Sequence, residues 1–468
     1  MTKQNSSGAT VNNQAIFNII GTVVLTGINF LTVPIFTRVL GPENFGYFAV
    51  FSSWIMVITC FIDLTCRQGL LTAKYHFPDE YESYRSGSLL MGTCSAGSLT
   101  LLGLIFIIPL SRFLGYPSWL TILLILISYA YSVVEFARIS WIYEKKAKLN
   151  FIISITLSAA TVGLSLLLIP QFSGETLYYG RVLGYCLPYI AAAIFLWLYI
   201  FRKKPVGYNK VHWKYAFTIG LPIVFHTLSH TVLSQSNRIM MERMGVSDEN
   251  VGIYSFFFQL TAFVTTLLMA LNTSWAPFYF DDLNNRDFGA IKKKCRNYME
   301  LFTVVVCGFL LVCREVIPIF ADERFFSGIN IIPLLILAIF FTFMYQFPVN
   351  FEMFHKKTNT VAIGTISAAV FNILLNLIFI GKWGMYGAAF ATVLSYIALF
   401  LAHYTIARNM KVMVFHVHIK DFAVWIGIVL IACGLFYLLA PYAMIRWLMG
   451  VALGGYIVYK VYKRRSIF

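Results

Sequence analysis

The residues of this sequence that could do chemistry are polar or charged side chains set inside long apolar runs. His226 and His230 stand four residues apart, one helical turn, with Ser229 and Ser234 beside them. Imidazole titrates near neutral pH, so such a pair in an apolar setting is a candidate proton carrier. Two neutral histidines hydrogen-bonded between helices would give the same pattern. Asn18, Thr22, Thr26 and Asn29 share one helix face, with Thr37 further out; a stripe of this kind binds a polar solute or joins helices. Arg38 and Arg238 each fall about 23 residues into a run, which at about 1.5 Å per residue places them near its far end. A guanidinium fork there suits phosphate or a gate, and snorkelling to the interface explains it equally. Asp63 with Arg67 and Glu135 with Arg138 have spacings that put each pair on one helix face, as a gate, an ion-coupling pair or a local ion pair. Arg314 and Glu315 read as structural. The histidines have no acidic neighbour or ligand spacing for zinc, and no Gly-rich phosphate loop is present. Neither a metal nor a cofactor is expected.

The elements that position these residues follow from composition. The chain has 468 residues, 59% of them hydrophobic and only 12% charged, with a mean hydropathy of +0.74. A soluble chain is roughly 45–50% apolar and about 25% charged. Too little polar surface exists here for a soluble enzyme, a nucleic-acid-binding domain or a large extracellular domain. Apolar runs of membrane-spanning length occur at residues 15–38, 45–66, 88–111, 118–137, 151–170 and 179–201. Six more lie at 215–238, 251–274, 298–320, 330–352, 360–380 and 385–407, and two follow at 422–440 and 444–461. Fourteen helices are expected, each satisfying its backbone internally, as lipid requires.

The net charge of +16 would suggest nucleic acid in a soluble protein. In a membrane protein the first explanation is topology. With the N-terminus in the cytoplasm, 27 Lys and Arg fall on the inner side and 9 on the outer. The expectation is therefore a multi-pass protein with both termini cytoplasmic and no nucleic-acid partner. The first run is too long for a signal-peptide core and reads as an uncleaved first span. Most of the eight cysteines lie in apolar runs and read as small hydrophobes.

Landmarks recur at a near-constant offset. Arg38 to Gly46 resembles Arg243 to Gly252, Glu144-Lys145-Lys146 resembles His355-Lys356-Lys357, and Gly180 to Tyr185 resembles Ala391 to Tyr396. A repeat of six helices keeps its orientation, so two parallel copies are expected, with a substrate site at their interface. The domain reading is a cytoplasmic N-terminus (1–14), an N-lobe (15–201), a linker (202–214), a C-lobe (215–407), two additional helices (422–461) and a tail (462–468). Gly41-Pro42 and Gly384/Gly387 mark where helices must stop and reverse.

These residues resemble a known family. Thr37-Arg38-Val-Leu-Gly41-Pro42-Glu43-Asn-Phe45-Gly46 is similar to the end of the first helix in Wzx-type polysaccharide biosynthesis flippases, of the multidrug/oligosaccharidyl-lipid/polysaccharide exporter superfamily. Asn372 through Asn376, Gly384, Gly387 and Thr392 resemble that family's signature across the eleventh and twelfth helices. Arg238 with Val251-Gly252-Ile253-Tyr254 resembles its seventh-to-eighth-helix turn. The chain departs from the pattern at Asn237, Gly381 and Thr65, where the family often has Asp, Pro and Gly. The resemblance implies a non-enzymatic translocase that turns a polyprenyl-pyrophosphate-linked oligosaccharide from the inner to the outer leaflet of a bacterial inner membrane, by alternating access of two six-helix lobes. The product serves surface polysaccharide such as O-antigen or capsule. Expected partners are that lipid-linked oligosaccharide, membrane lipids, a proton or sodium counter-ion and other polysaccharide assembly proteins. Asn18, Thr22, Asn29, Arg38, His226, His230 and Arg238 are the expected cavity residues, with Asp63, Arg67, Glu135 and Arg138 as gate or ion-coupling residues. A cation-coupled multidrug exporter of the same superfamily is the first alternative, and a membrane glycan polymerase the second.

Overall fold

In a computed structural model the structure describes residues 2–63, 66–144, 146–203, 208–411 and 413–464. Side chains are described from Phe30 onward, apart from Asp63, Cys66, Gln68, Leu71, Pro222, Phe225, His226, Val461 and Arg464. No strand occurs among the described residues. Ten helices there are long and apolar enough to cross a membrane by length and composition. The protein is all-α and polytopic.

The helices are α1 (Thr2–Asp63), α2 (Leu70–His76), α3 (Tyr81–Ile105), α4 (Ile107–Leu114), α5 (Ser118–Tyr143), α6 (Ala147–Leu168) and α7 (Leu177–Lys203). They continue as α8 (Lys210–Arg243), α9 (Asp248–Asn285), α10 (Phe288–Phe320), α11 (Ile332–Phe354), α12 (Thr358–Asn409), α13 (Ile419–Leu438) and α14 (Ala443–Arg464). The backbone leaves helical geometry inside α1 at Gly41 (φ 68°, ψ 174°) and inside α12 at Gly384 (φ 53°, ψ −128°). Only glycine takes these conformations without strain. Each long helix is therefore two limbs, and the reversals expected at Gly41 and Gly384 are present.

Contacts divide the chain into two units. The first comprises residues 1–36 and 47–235, the second residues 37–46 and 236–468, so the boundary falls inside α8. In the first unit α5 is the central helix, with Leu120, Leu124, Ile127 and Val134 fully buried against α3 and α7. The α6–α7 contact is close because Gly184 has no side chain: a Cβ there would lie 2.3 Å from the Ser165 Cα. In the second unit α11 is the buried helix, and its Phe343 and Phe347 pack on Trp275 and Tyr298 of α9 and α10.

The structure differs from the sequence reading in two places. The run expected at 88–111 is divided at Phe106 into α3 and α4. The segment 276–297, left between the expected spans 251–274 and 298–320, is helix on both sides of a turn at Arg286 and Asp287. Hydropathy marks where a helix leaves the apolar layer, not where it stops. Asp287 then caps α10 by accepting from the Ala290 amide at 2.9 Å. Arg67, the expected partner of Asp63, lies in the 3-10 turn Cys66–Gly69 and is half-buried. The Asp63 side chain itself lies outside the described residues.

Candidate functional site

In the first unit, α5, α6 and α7 line a cavity of about 370 Å³, with Thr32 and Met56 of α1 completing its wall. Tyr131, Glu135 and Arg138 reach it from one face of α5, and Arg181, Tyr185 and Tyr189 from one face of α7. Glu135 and Arg138 form the expected ion pair, and the Arg138 Nε donates to Asn150 Oδ1 at 3.2 Å. Arg181 donates to the Ser165 hydroxyl at 2.8 Å, and its guanidinium lies 3.6 Å above the Phe36 ring and 4.8 Å from Phe48. Aromatic faces hold the cation where water is scarce. Tyr131 stacks on Tyr189, which in turn packs against Tyr185. Two guanidinium groups face one carboxylate, so the cavity carries an excess positive charge among phenol hydroxyls. That donor set suits an anionic or hydroxyl-rich group: forks for phosphate or carboxylate oxygens, tyrosines for sugar edges.

Arg138 and Glu135 were legible as a pair in the sequence, but Arg181, Tyr185 and Tyr189 were not singled out. Their i, i+4, i+8 spacing was the available signal. Arg181 reads as an outer-end charge on hydropathy alone.

Arg38 is exposed, and one of its guanidinium nitrogens donates to the carbonyls of Ile319 at 3.1 Å and Pro318 at 3.4 Å. Beside it the Thr37 hydroxyl donates to the Phe320 carbonyl at 3.0 Å. Both residues thus serve the last carbonyls of α10, where a cation also complements the helix dipole. Arg238 is half-buried, 4.7 Å from the Phe258 ring. His230 is exposed. Asn18, Thr22, Thr26, Asn29 and His226 lie outside the residues whose side chains are described.

The second unit holds a buried amide cluster built from the signature positions. Asn237 donates to the Tyr254 hydroxyl at 2.6 Å and to Thr392 Oγ1 at 2.7 Å. Asn376 donates to Asn237 Oδ1 at 2.8 Å and to Asn372 Oδ1 at 3.0 Å, and Asn372 donates to Ser395 at 3.2 Å. Asn372 and Asn376 are fully buried. The cluster ties α8, α9 and both limbs of α12 together through neutral groups, with Asn237 at its centre. Nearby, the repeated turns meet: a Cβ on Gly252 would fall 1.7 Å from the Pro42 carbonyl oxygen, and one on Gly46 would fall 2.3 Å from that of Asp248. Only glycine at both positions permits this approach.

One buried ionisable pair was not anticipated. His403 Nδ1 lies 2.8 Å from Glu352 Oε1, both side chains fully buried, and Thr360 donates to Glu352 Oε2 at 2.6 Å. Glu352 and His403 sit 51 residues apart on α11 and α12, so no local spacing could reveal them.

Comparison with known proteins agrees with this architecture. A lipid II flippase, MurJ, in an inward closed conformation superposes with a TM-score of 0.67 at 16% identity, covering 96% of this chain and 99% of that one. A multidrug resistance MATE family transporter of the MOP superfamily, inward-facing, gives 0.64 at 14% identity, covering 84% and 98%. Both likenesses concern the fold. An uncharacterized membrane protein of Haemophilus influenzae is 22% identical over 381 residues, covering 78% of this chain and 88% of its own length. The model of the polysaccharide biosynthesis protein family matches residues 11–281, more than half of the chain. With that match, on a fold shared with MOP-superfamily transporters, the chain belongs to the polysaccharide biosynthesis protein family.

Proposed function

We propose that this protein is a flippase that moves polyprenyl-pyrophosphate-linked oligosaccharide units from the inner to the outer leaflet of a bacterial inner membrane, by alternating access, for surface polysaccharide assembly. The observation that carries the reading is the family match on a fold shared with a lipid II flippase. The cation-rich, tyrosine-lined cavity of the first unit supports it. A pyrophosphate and sugar hydroxyls need forked cations and hydrogen-bonding rings during passage through about 30 Å of hydrocarbon. The protein performs no covalent step in this reading. A proton or sodium ion supplies the driving exchange, and other polysaccharide assembly proteins take up the product.

Arg138 and Arg181 hold the anionic part of the substrate, with Glu135 setting the Arg138 guanidinium. Arg38, Arg238, His230 and His226 remain proposed contributors, as do Asn18, Thr22 and Asn29 on α1, with Asp63 and Arg67 as gate or ion-coupling residues. For Arg38 the role must be compatible with its bonds to α10.

The test is a deletion in the source bacterium, followed by analysis of lipid-linked intermediates on each leaflet. Accumulation on the inner face, with surface glycan lost and restored by the wild-type gene, is the expected result. Unchanged glycan display together with lost drug efflux would transfer the reading to a multidrug exporter.

A further inference from the structure

A second cationic pocket lies in the other unit, far along the chain from the cavity above. Its volume is about 600 Å³, and it is framed by α10, α13 and α14. Lys292, Lys293 and Arg296 share one face of the first turns of α10 with Gly289 and Glu300. Trp425 of α13 and Tyr456 and Lys460 of α14 complete the wall.

The charges in this pocket are unequally matched. The Glu300 carboxylate is already engaged, accepting from the Tyr456 hydroxyl and lying 3.2 Å from the Lys460 ammonium. Lys294, on the other side of α10, is paired with Asp282 at 2.7 Å. Lys292, Lys293 and Arg296 are exposed, and none forms an ion pair among the described residues. Three cations therefore converge on a concave site whose only lining carboxylate is bound to other partners. Ordinary surface lysines stand apart in solvent; these surround a volume in the usual range of a ligand pocket.

The surroundings identify the kind of anion. Both α13 and α14 pack on α10, and both present exposed apolar side chains beyond the pocket: Val424, Ile431, Val451 and Val458 are each at least 60% exposed. Trp425 and Tyr456 have the amphipathic rings that settle at the headgroup level of a bilayer. A phosphate entering here thus finds cations around it and acyl-chain surface alongside. A free inorganic ion would use only the first.

We infer that the α10–α13–α14 pocket is a binding site for the phosphate headgroup of an anionic phospholipid, with its chains against α13 and α14. Basic pockets between membrane helices recognise such headgroups by this combination. The lipid acts as a fixed ligand that pins the two C-terminal helices to α10. The inference stands whether or not the protein is a flippase.

The experiment uses the full chain in nanodiscs, with bound lipid counted by native mass spectrometry after exchange from phosphatidylglycerol or phosphatidylcholine. Wild type should retain phosphatidylglycerol selectively. A Lys292→Gln/Lys293→Gln/Arg296→Gln variant should bind it at least about tenfold more weakly, from the loss of three near-surface cations. A Lys356→Gln/Lys357→Gln/Lys411→Gln variant loses the same charge outside the pocket and should behave as wild type. Thermal melts of both variants without lipid should match wild type, because all six side chains are exposed. Equal loss in the two variants, or no preference for phosphatidylglycerol over phosphatidylcholine, would overturn the site. Binding of inorganic phosphate alone with the same variant dependence, and no retained lipid, would overturn the lipid as its source.

Discussion

Arg181 offers one guanidinium nitrogen to Ser165 and its face to Phe36 and Phe48, which leaves donors of the fork directed at the cavity. Lysine would keep the charge but lose both the stacking and the forked geometry. Arg181→Lys should therefore lower translocation of lipid-linked oligosaccharide by about tenfold or more, the scale of one charge-assisted hydrogen bond, with the protein still present in the membrane. Leaflet-resolved analysis of intermediates checks this, and full activity of the lysine variant would remove Arg181 from the substrate path. Glu352 makes a different prediction, about stability. Replacing it with Ala leaves the fully buried His403 without its carboxylate partner, at a cost of about 1–3 kcal/mol, while the half-buried Thr360 hydroxyl keeps the Lys357 carbonyl. Glu352→Gln keeps an oxygen acceptor and should cost less. Thermal unfolding in detergent should rank wild type above Gln and Gln above Ala; identical melting of all three would show that the pair does not hold α11 to α12.

At the scale of elements, two devices connect helices that hydropathy alone would leave as separate rods. The first is the glycine contact between the repeated turns. Gly252→Ala places a methyl against the backbone oxygen of Pro42, which cannot swing away, so the α1 reversal and the α8–α9 turn must part. Loss of folded protein from the membrane is expected, whereas Gly97→Ala, where a Cβ meets nothing within 4 Å, should be neutral; quantitative blotting of membrane fractions compares them. The second device joins the start of α3 to the turn between α5 and α6. Arg85, almost fully buried, pairs with Glu144 and Glu82, and Glu144 also binds Lys146 and the Ser140 hydroxyl. Burial pushes the Glu144 carboxyl upward, but Lys146, Arg85 and Ser140 together outweigh it and hold it below its ordinary 4.5. A lowered folded value means its contribution is full above pH 4.5 and is lost as pH falls through that lowered value. The melting temperature of wild type should accordingly fall more steeply below that pH than that of Glu144→Gln. Parallel curves would separate Glu144 from acid stability. The glycine contact was half-visible in the sequence as a repeated Asn-x-Gly turn. The Arg85–Glu144 link, with partners 59 residues apart, was not, because side-chain pairing between helices leaves no periodic trace.

For the whole molecule, what the sequence made legible was the layer each residue occupies. Apolar runs located the helices among the described residues, the break at Phe106 apart, and glycines located the two reversals, because lipid forces backbone bonds inward and leaves few ways to turn. The cavity was only partly legible: Glu135 and Arg138 are local neighbours, while Arg181 joins them through helix packing. Orientation rests on the same layer logic and yields the last prediction. With 27 Lys and Arg assigned to one side and 9 to the other, the α9–α10 turn should face the cytoplasm and the Gly384 reversal the outside. From residue 274 to the end of α9 at Asn285 the helix continues for about 16 Å at its ordinary rise. The turn is therefore carried clear of the interface, and Asn284, exposed at its edge, is a clean reporter. Lys382, exposed two residues before Gly384, reports the opposite side. In a background without native cysteines, Lys382→Cys should react with a membrane-impermeant maleimide in intact cells, and Asn284→Cys only after the membrane is opened. The reverse pattern would place the basic α10–α14 pocket on the outer surface and both termini with it. The lysine excess would then have to be explained by ligands instead of topology.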